Sequence, residues 1–223
     1  MKTLSIKGID AQMNDAMVNV NRPKPRRSQE ERSASSRASL IESAIRHLLR
    51  RGLASTNMTE IAAEANLTRG AIQHHFTSRA ELVVAVVEEL DGRICRALDG
   101  FSLPASVKGQ ERVAALLDHV IALTASDDNI AVFDVWSASR ADPALKERTL
   151  AMQRQLTVQF KEFWRRNLDG YLASELIEIS FDITLVMAQG AAMGHLLNEP
   201  PDRIKRTLTE AKAMLLAFVD ARR

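Results

Sequence analysis

From Ser35 to the C-terminus, apolar side chains recur at intervals of three and four residues, and no segment alternates convincingly with period two. A chain patterned this way hides its apolar stripes by packing helix on helix. Chain breakers are scarce: 9 Gly and 6 Pro in 223 residues, against an average usage of about 12% for the two together. Tight turns are therefore few, which argues against a sandwich or barrel. The spacing predicts an all-α fold of about nine helices, over 36–51, 58–65, 69–75, 79–100, 107–124, 129–140, 143–168, 173–198 and 201–221. The breaks between the later ones fall at Pro104, Ser126-Asp127-Asp128, Asp142-Pro143, Asp169-Gly170 and Pro200-Pro201.

Charge is unevenly spread. Residues 1–80 carry 13 basic and 7 acidic side chains, whereas 81–223 carry 17 and 21. A basic N-terminal third on an acidic remainder fits a partner that is a polyanion, although a solvated surface with a basic tail would give the same count. Residues 1–33 read as a flexible basic arm. Its segment 22–27, R-P-K-P-R-R, cannot bury a core and has the composition of arms that follow phosphates or enter a minor groove. A disordered tail is the plain alternative. The single cysteine, Cys95, excludes an intrachain disulfide and any Cys-based metal cluster. No run of 18 apolar residues and no secretory signal are present, so no membrane partner and a cytoplasmic address are expected.

The most informative stretch is 57–76. Asn57 and Thr68 are placed to cap two short helices, with Glu60 completing a box-like arrangement and Asn66 able to take the left-handed turn between them. Ile61, Ala62, Ala65, Leu67, Ile72 and Phe76 form the inward face. Two helices of about two turns joined by some three residues make a helix-turn-helix. The outward face of the second helix offers Thr68, Arg69, Ala71, Gln73, His74 and His75. Arg69 and Gln73 have paired donors suited to guanine and adenine edges in a major groove, and Gly70 allows close approach. The alternative is a packing hairpin whose polar residues merely face water.

The run from Ile41 through Leu82 resembles the DNA-binding domain of TetR-family transcriptional regulators. The matching features are Ala44 to Gly52 at the end of the first helix, I-A-x-x-A (Ile61, Ala62, Ala65), the T-R-G-A-I turn and helix, and H-F-x-S-R-x-x-L from His75 to Leu82. The resemblance implies a homodimer with an N-terminal three-helix helix-turn-helix domain and a divergent C-terminal bundle for effector binding and dimerisation. The expected division is an arm over 1–33, a DNA-binding domain over 34–94 and an effector domain over 95–223. The chain departs from the family pattern where Leu49 replaces an aromatic, Asn66 a glycine, Gln73 a tyrosine and Arg79 a lysine. Leu49 is expected to pack. The resemblance places Asn57, Thr59, Thr68, Arg69, Gly70, Ala71, Gln73, His74, His75 and Arg79 at the DNA, with His75 and Arg79 on phosphates and Gln73 on a base edge or a phosphate.

No catalytic set is visible: there is no P-loop, no G-x-G-x-x-G, no G-x-S-x-G and no Glu-x-x-His. His74 and His75 point about 100° apart on a helix and do not share a metal easily. No metal, cofactor or enzymatic activity is expected. Five of ten aromatics fall between Phe133 and Trp164. With polar neighbours they suggest an effector pocket formed by His119, Phe133, Trp136, Met152, Gln155, Phe160 and Phe163, although each is equally at home in an ordinary core. The helices near 173–198 and 201–221, with their small residues from Ala188 to Gly194, are the expected dimer interface.

The reading is a ligand-responsive DNA-binding regulator, a repressor, released from a near-palindromic operator by a small apolar or aromatic effector. A small all-α enzyme and a non-DNA helical interaction module are the rivals.

Overall fold

The computed structural model describes residues 28–222. It contains, among these, nine α-helices and no strand: α1 (Gln29–Arg51), α2 (Met58–Glu64), α3 (Arg69–His75), α4 (Arg79–Asp99), α5 (Gly109–Thr124), α6 (Asp127–Ser139), α7 (Pro143–Leu168), α8 (Ser174–Leu196) and α9 (Pro201–Asp220). A 3-10 turn at Leu53–Ser55 joins the first two. The segment 22–27 lies outside the described residues. Among the described residues, 36–222 belong to one compact unit and 28–35 to another.

The first helix begins seven residues earlier than its apolar stripe predicts, so residues 29–33, assigned to the arm, are helical. The cause is a capping box. The backbone N–H of Glu31 donates to Ser28 Oγ at 3.1 Å, and the N–H of Ser28 donates to Glu31 Oε2 at 2.8 Å. Charged residues can extend a helix without any core to face once its terminal donors are satisfied. The exit is at Gly52, with φ +72, a conformation that costs glycine little. Leu49 does not pack as expected. It is 41% exposed, because Leu48 and Ile45 already fill the inward face.

The short helices form through their caps. Asn57 accepts from the N–H of Thr59 at 2.9 Å, Thr68 from Ala71 at 3.1 Å and Ser78 from Glu81 at 3.1 Å; each such cap contributes about 1 kcal/mol. Glu60 does not close the box onto the backbone. It accepts from the Asn57 side chain and pairs with Arg51. Asn66 takes the left-handed turn at φ 56.

Two apolar clusters hold residues 36–223 together. The first gathers Leu40, Ile61, Ile72, Phe76, Leu82–Val87 and Leu90, and it also takes in Ala131, Val132 and Val135 of α6. The second gathers Ile94 and Leu98 with Leu116, Phe163, Trp164, Phe181 and Val219. The fourth helix thus lies in both, and Trp136 packs against both. The sequence reading put the sixth helix wholly with the C-terminal bundle; one of its faces is part of the N-terminal core. Arg93 reinforces this union by pairing with Glu42 of α1 and with Asp128 of α6 at 3.7 Å.

Among the described residues, α8 is the one helix long and apolar enough to cross a membrane by length and composition. Here Leu176, Ile177, Phe181, Ala188, Ala191 and Ala192 are buried within the protein. Gly194 meets α9 closely: a Cβ there would stand 3.1 Å from Ile204 Cδ1. Gly190 has nothing within 4 Å of the equivalent position.

Candidate nucleic-acid interface and the cavities behind it

The helix-turn-helix is assembled from the inside outward. Ile61 and Ile72 are fully buried and Phe76 nearly so, which sets α2 and α3 against α1. Ser43 of α1 donates to the Ile61 carbonyl at 2.9 Å. Arg46 and Arg50 both pair with Glu64, at 3.1 and 2.6 Å, and Arg51 pairs with Glu60 at 2.7 Å. The acidic side chains of α2 are thus occupied by arginines of α1, so they do not stand as free negative charge beside α3.

With its inner face committed, α3 presents Thr68, Arg69, Gly70, Gln73 and His74 to solvent, and Ala71 and His75 are half-buried. Arg69 and Gln73, four apart, share one face. A Cβ on Gly70 would meet only Thr68 Oγ1, at 3.8 Å. Nothing inside the protein therefore requires glycine there. His74 and His75 stand edge to face with centroids 5.2 Å apart. Burial, then the neighbouring His74 and Arg37, hold the His75 pKa below its ordinary value, so at neutral pH it is an uncharged donor or acceptor. Arg37 lies over Phe76, 5.2 Å from the ring centroid. Asn57 and Thr59 are exposed at the start of α2. Arg79 is exposed as well, but its guanidinium also donates to the Leu53 carbonyl. Sequence reasoning did not foresee that tether, which joins positions 26 apart.

The predicted effector residues divide among three places. Phe133, Trp136 and Phe160 line one apolar cavity between α5, α6, α7 and α8, together with Trp164 and Phe181. Its free volume is about 40 Å³, room for little more than a water or two. Met152 and Gln155 instead line a cleft of about 450 Å³ between α4 and α7. His119 and Phe163 line neither. His119 stacks on Phe101 with centroids 4.1 Å apart, and Phe163 packs edge-on against the same ring. Helical spacing places a residue on its own helix face, but it does not say which neighbour that face meets. Trp164, the last of the five clustered aromatics, does line the cavity, whereas Phe181, missed as a pocket residue, lies on a face of α8 that only helix packing brings to it.

The two tryptophans in the apolar cavity differ. Trp164 Nε1 donates to Ser180 Oγ at 3.0 Å. Trp136 Nε1 is buried with no hydrogen-bond partner. Among the described residues, no three His, Cys, Asp or Glu side chains come together as a metal-holding group.

Among the described residues the chain is all-helical, with a helix-turn-helix ahead of a larger helical bundle. Residues 40–86 match the family of bacterial regulatory proteins of the tetR type. The HTH-type transcriptional regulator TtgR of Pseudomonas putida is 46% identical over 65 residues, which are 29% of this chain and 30% of that protein. The chain's match therefore spans under a third of that relative. The regulator CymR of Pseudomonas putida is 27% identical over 190 residues, covering 81% of this chain and 89% of the relative. The crystal structure of a transcriptional regulator from Rhodococcus sp. Rha1 superposes with a TM-score of 0.65 at 20% identity, over 83% of this chain and 98% of the other. Residues 40–86 thus have the sequence pattern of the TetR family, and over most of its length the chain shares the fold of the Rhodococcus protein.

Proposed function

We propose that the protein is a homodimeric, ligand-responsive repressor that binds a near-palindromic operator in the cytoplasm. The observation that carries this reading is the outer face of α3. Arg69 and Gln73 are exposed side by side, Gly70 serves no internal packing, and the acids of the preceding helix are already paired. Arg69 and Gln73 read base edges. Asn57, Thr59, Thr68, Ala71, His74, His75 and Arg79 position the helix, chiefly through phosphates. Residues 34–94 do the binding, and 95–223 hold effector and partner.

The dimer forms through α8 and α9. Val186, Met193, Leu197 and Met214 are exposed there, at 68, 38, 67 and 73%. Large apolar side chains grouped on two neighbouring helices are characteristic of an interaction face. A two-fold dimer presents paired recognition helices to half-sites about one helical turn apart or a little more.

The effector occupies the aromatic cavity. Its free volume of about 40 Å³ is too small for an organic effector, so entry must displace a wall, and α6 is the wall that is also part of the DNA-binding core. An effector that binds the open arrangement better shifts the population away from the operator-competent one. The lining favours an apolar or aromatic molecule, and the unpartnered Trp136 N–H favours one hydrogen-bond acceptor upon it. A gel-shift titration of the full chain on the DNA upstream of its own gene tests the first part. Binding should weaken steeply with salt, as counterions are released. A flat salt response, or no retarded band, would remove DNA as the partner and leave the interaction-module reading.

A further inference from the structure

The cleft between α4 and α7 has the opposite character to the aromatic cavity, and the effector reading does not use it. Its volume is about 450 Å³, with walls supplied by Glu88, Asp91 and Cys95 on one side and Met152, Gln155 and Gln159 on the other. It is open without any rearrangement, and Leu156 lines both spaces.

Asp91 is its unusual member. One carboxylate oxygen, Oδ1, is buried and has no hydrogen-bond partner. The cations nearby are engaged elsewhere. Arg93 pairs with Glu42, with Glu89 at 3.1 Å and with Asp128. Arg96, whose guanidinium lies against Gly92 at the rim, pairs with Glu89 at 3.2 Å. The wall contributed by α7 holds amides, a thioether and a leucine, with no titratable group. Glu88 is exposed at the mouth and adds a second negative charge. A half-buried carboxylate with one oxygen cut off from water and donors either holds a proton or gains from a partner that supplies positive charge.

We propose that this cleft is a second ligand site, one that takes a small organic cation such as an alkyl- or arylammonium ion. The cationic head meets Asp91, with the amide oxygens of Gln155 and Gln159 available to it. The apolar substituents lie on Met152 and Leu156. The absence of any three-acid or histidine cluster among the described residues favours an ammonium ion over a metal ion. The fourth helix, which forms one wall, is the helix that carries Arg79 at its N-terminal end, so a ligand here would bear on the same helix as the DNA-binding core.

Burial raises the Asp91 pKa to about 7. On the cleft walls the other titratable groups are Glu88 and the Cys95 thiol, whose own pKa is raised by burial and then by Asp91 and Asp99. A cation binds the ionised carboxylate, so affinity should rise with pH through this range. Between pH 6 and pH 8 the ionised fraction rises about tenfold.

The test is calorimetric titration of the full chain, without DNA, using phenyltrimethylammonium, which does not titrate. Tert-butylbenzene, of the same shape and uncharged, is the control. Expected are saturable binding of the cation, about tenfold tighter at pH 8 than at pH 6, and at least tenfold weaker binding of the control at pH 8. Asp91→Asn should remove most of the affinity and flatten the pH dependence. Equal binding of both compounds, a pH-independent affinity, or an Asp91→Asn variant that binds as tightly as the parent would overturn the proposal; the last would place the cation against the aromatic rings instead. No saturation by 10 mM, a limit of about −2.7 kcal/mol on binding, would overturn it too. Because no operator is present, failure here leaves the repressor reading untouched, and failure of operator binding leaves this one untouched.

Discussion

The Asp134 carboxylate accepts the backbone N–H of Leu53 at 3.0 Å, across 81 positions of sequence. Leu53 in turn gives its carbonyl to Arg79, the first residue of α4. The two peptide units that flank the Leu53 Cα, in the turn after α1, are thereby held between the sixth and fourth helices. Asp134 sits between Phe133 and Trp136, which line the aromatic cavity. A shift of α6 on filling that cavity would pull on the turn that leads into the helix-turn-helix.

Replacing Asp134 with Ala leaves the part-buried Leu53 N–H without its acceptor. The expected cost is about 1–2 kcal/mol in a urea melt. Operator affinity without effector should change little, while the effector concentration needed for release should rise. Asp134→Asn, which keeps an acceptor oxygen, should lose less. If Asp134→Ala responds to effector like the parent, the turn is not part of the coupling.

The two cavity tryptophans should respond differently to Phe. In Trp164→Phe the bond to Ser180 is lost, at a cost of about 1 kcal/mol in stability. In Trp136→Phe no hydrogen bond is lost, and removal of the unpartnered N–H offsets part of the packing lost with the smaller ring, so thermal stability should fall less than in Trp164→Phe while effector response falls. Thermal melts and effector titrations on both variants decide the matter. Equal loss of stability would make Trp136 an ordinary core residue.

At the DNA, Gln73→Ala should cost about 1–3 kcal/mol on the operator and little on scrambled duplex. Arg79→Ala should weaken both alike and make the salt slope shallower by about one unit. It should also lower stability, because the Leu53 carbonyl loses its donor. Binding isotherms at three salt concentrations separate these outcomes. Equal loss on both duplexes for Gln73→Ala would assign it to a phosphate.

Asp91 carries a pH signature of its own. Its pKa is raised from 3.8 to about 7 on folding, so the folded state binds the proton more tightly than the unfolded state. The carboxyl costs nothing below about pH 4, costs progressively more up to pH 7, and costs a constant amount above it. Asp91→Asn should therefore stabilise the protein at pH 8, by about 2 kcal/mol after allowance for its partial exposure, and have no effect at pH 3.5. Chemical denaturation at both pH values checks the sign.

Oligomeric state is tested by Met214→Glu and Val186→Asp, each placing charge on an exposed apolar face without touching the core. Light scattering should show the parent as a dimer and the variants shifted toward a monomer. A monomeric parent would remove the basis for a two-fold operator.

Much of the helix-turn-helix was legible in the chain because its signals are local. The caps Asn57, Thr68 and Ser78, the left-handed Asn66 and the inward set Ile61, Ile72 and Phe76 each act within a few residues, and each stands where its spacing predicts. The early start of α1 was equally legible in Ser28 and Glu31, but an argument from apolar periodicity passes over a helix turn with no core to face. What neighbours which helix was decided only by packing. His119 and Phe163 have the composition of pocket residues, yet the crossing of α5 and α7 turns them toward Phe101. Met152 and Gln155 sit on a face of α7 that meets α4, so their chemistry belongs to a charged cleft and not to the aromatic cavity. Secondary structure follows from interactions between residues a few positions apart, which the sequence states directly. The Asp134–Leu53–Arg79 clasp and the isolation of Asp91 depend on contacts between helices far apart in the chain, and those exist only once the two cores have formed.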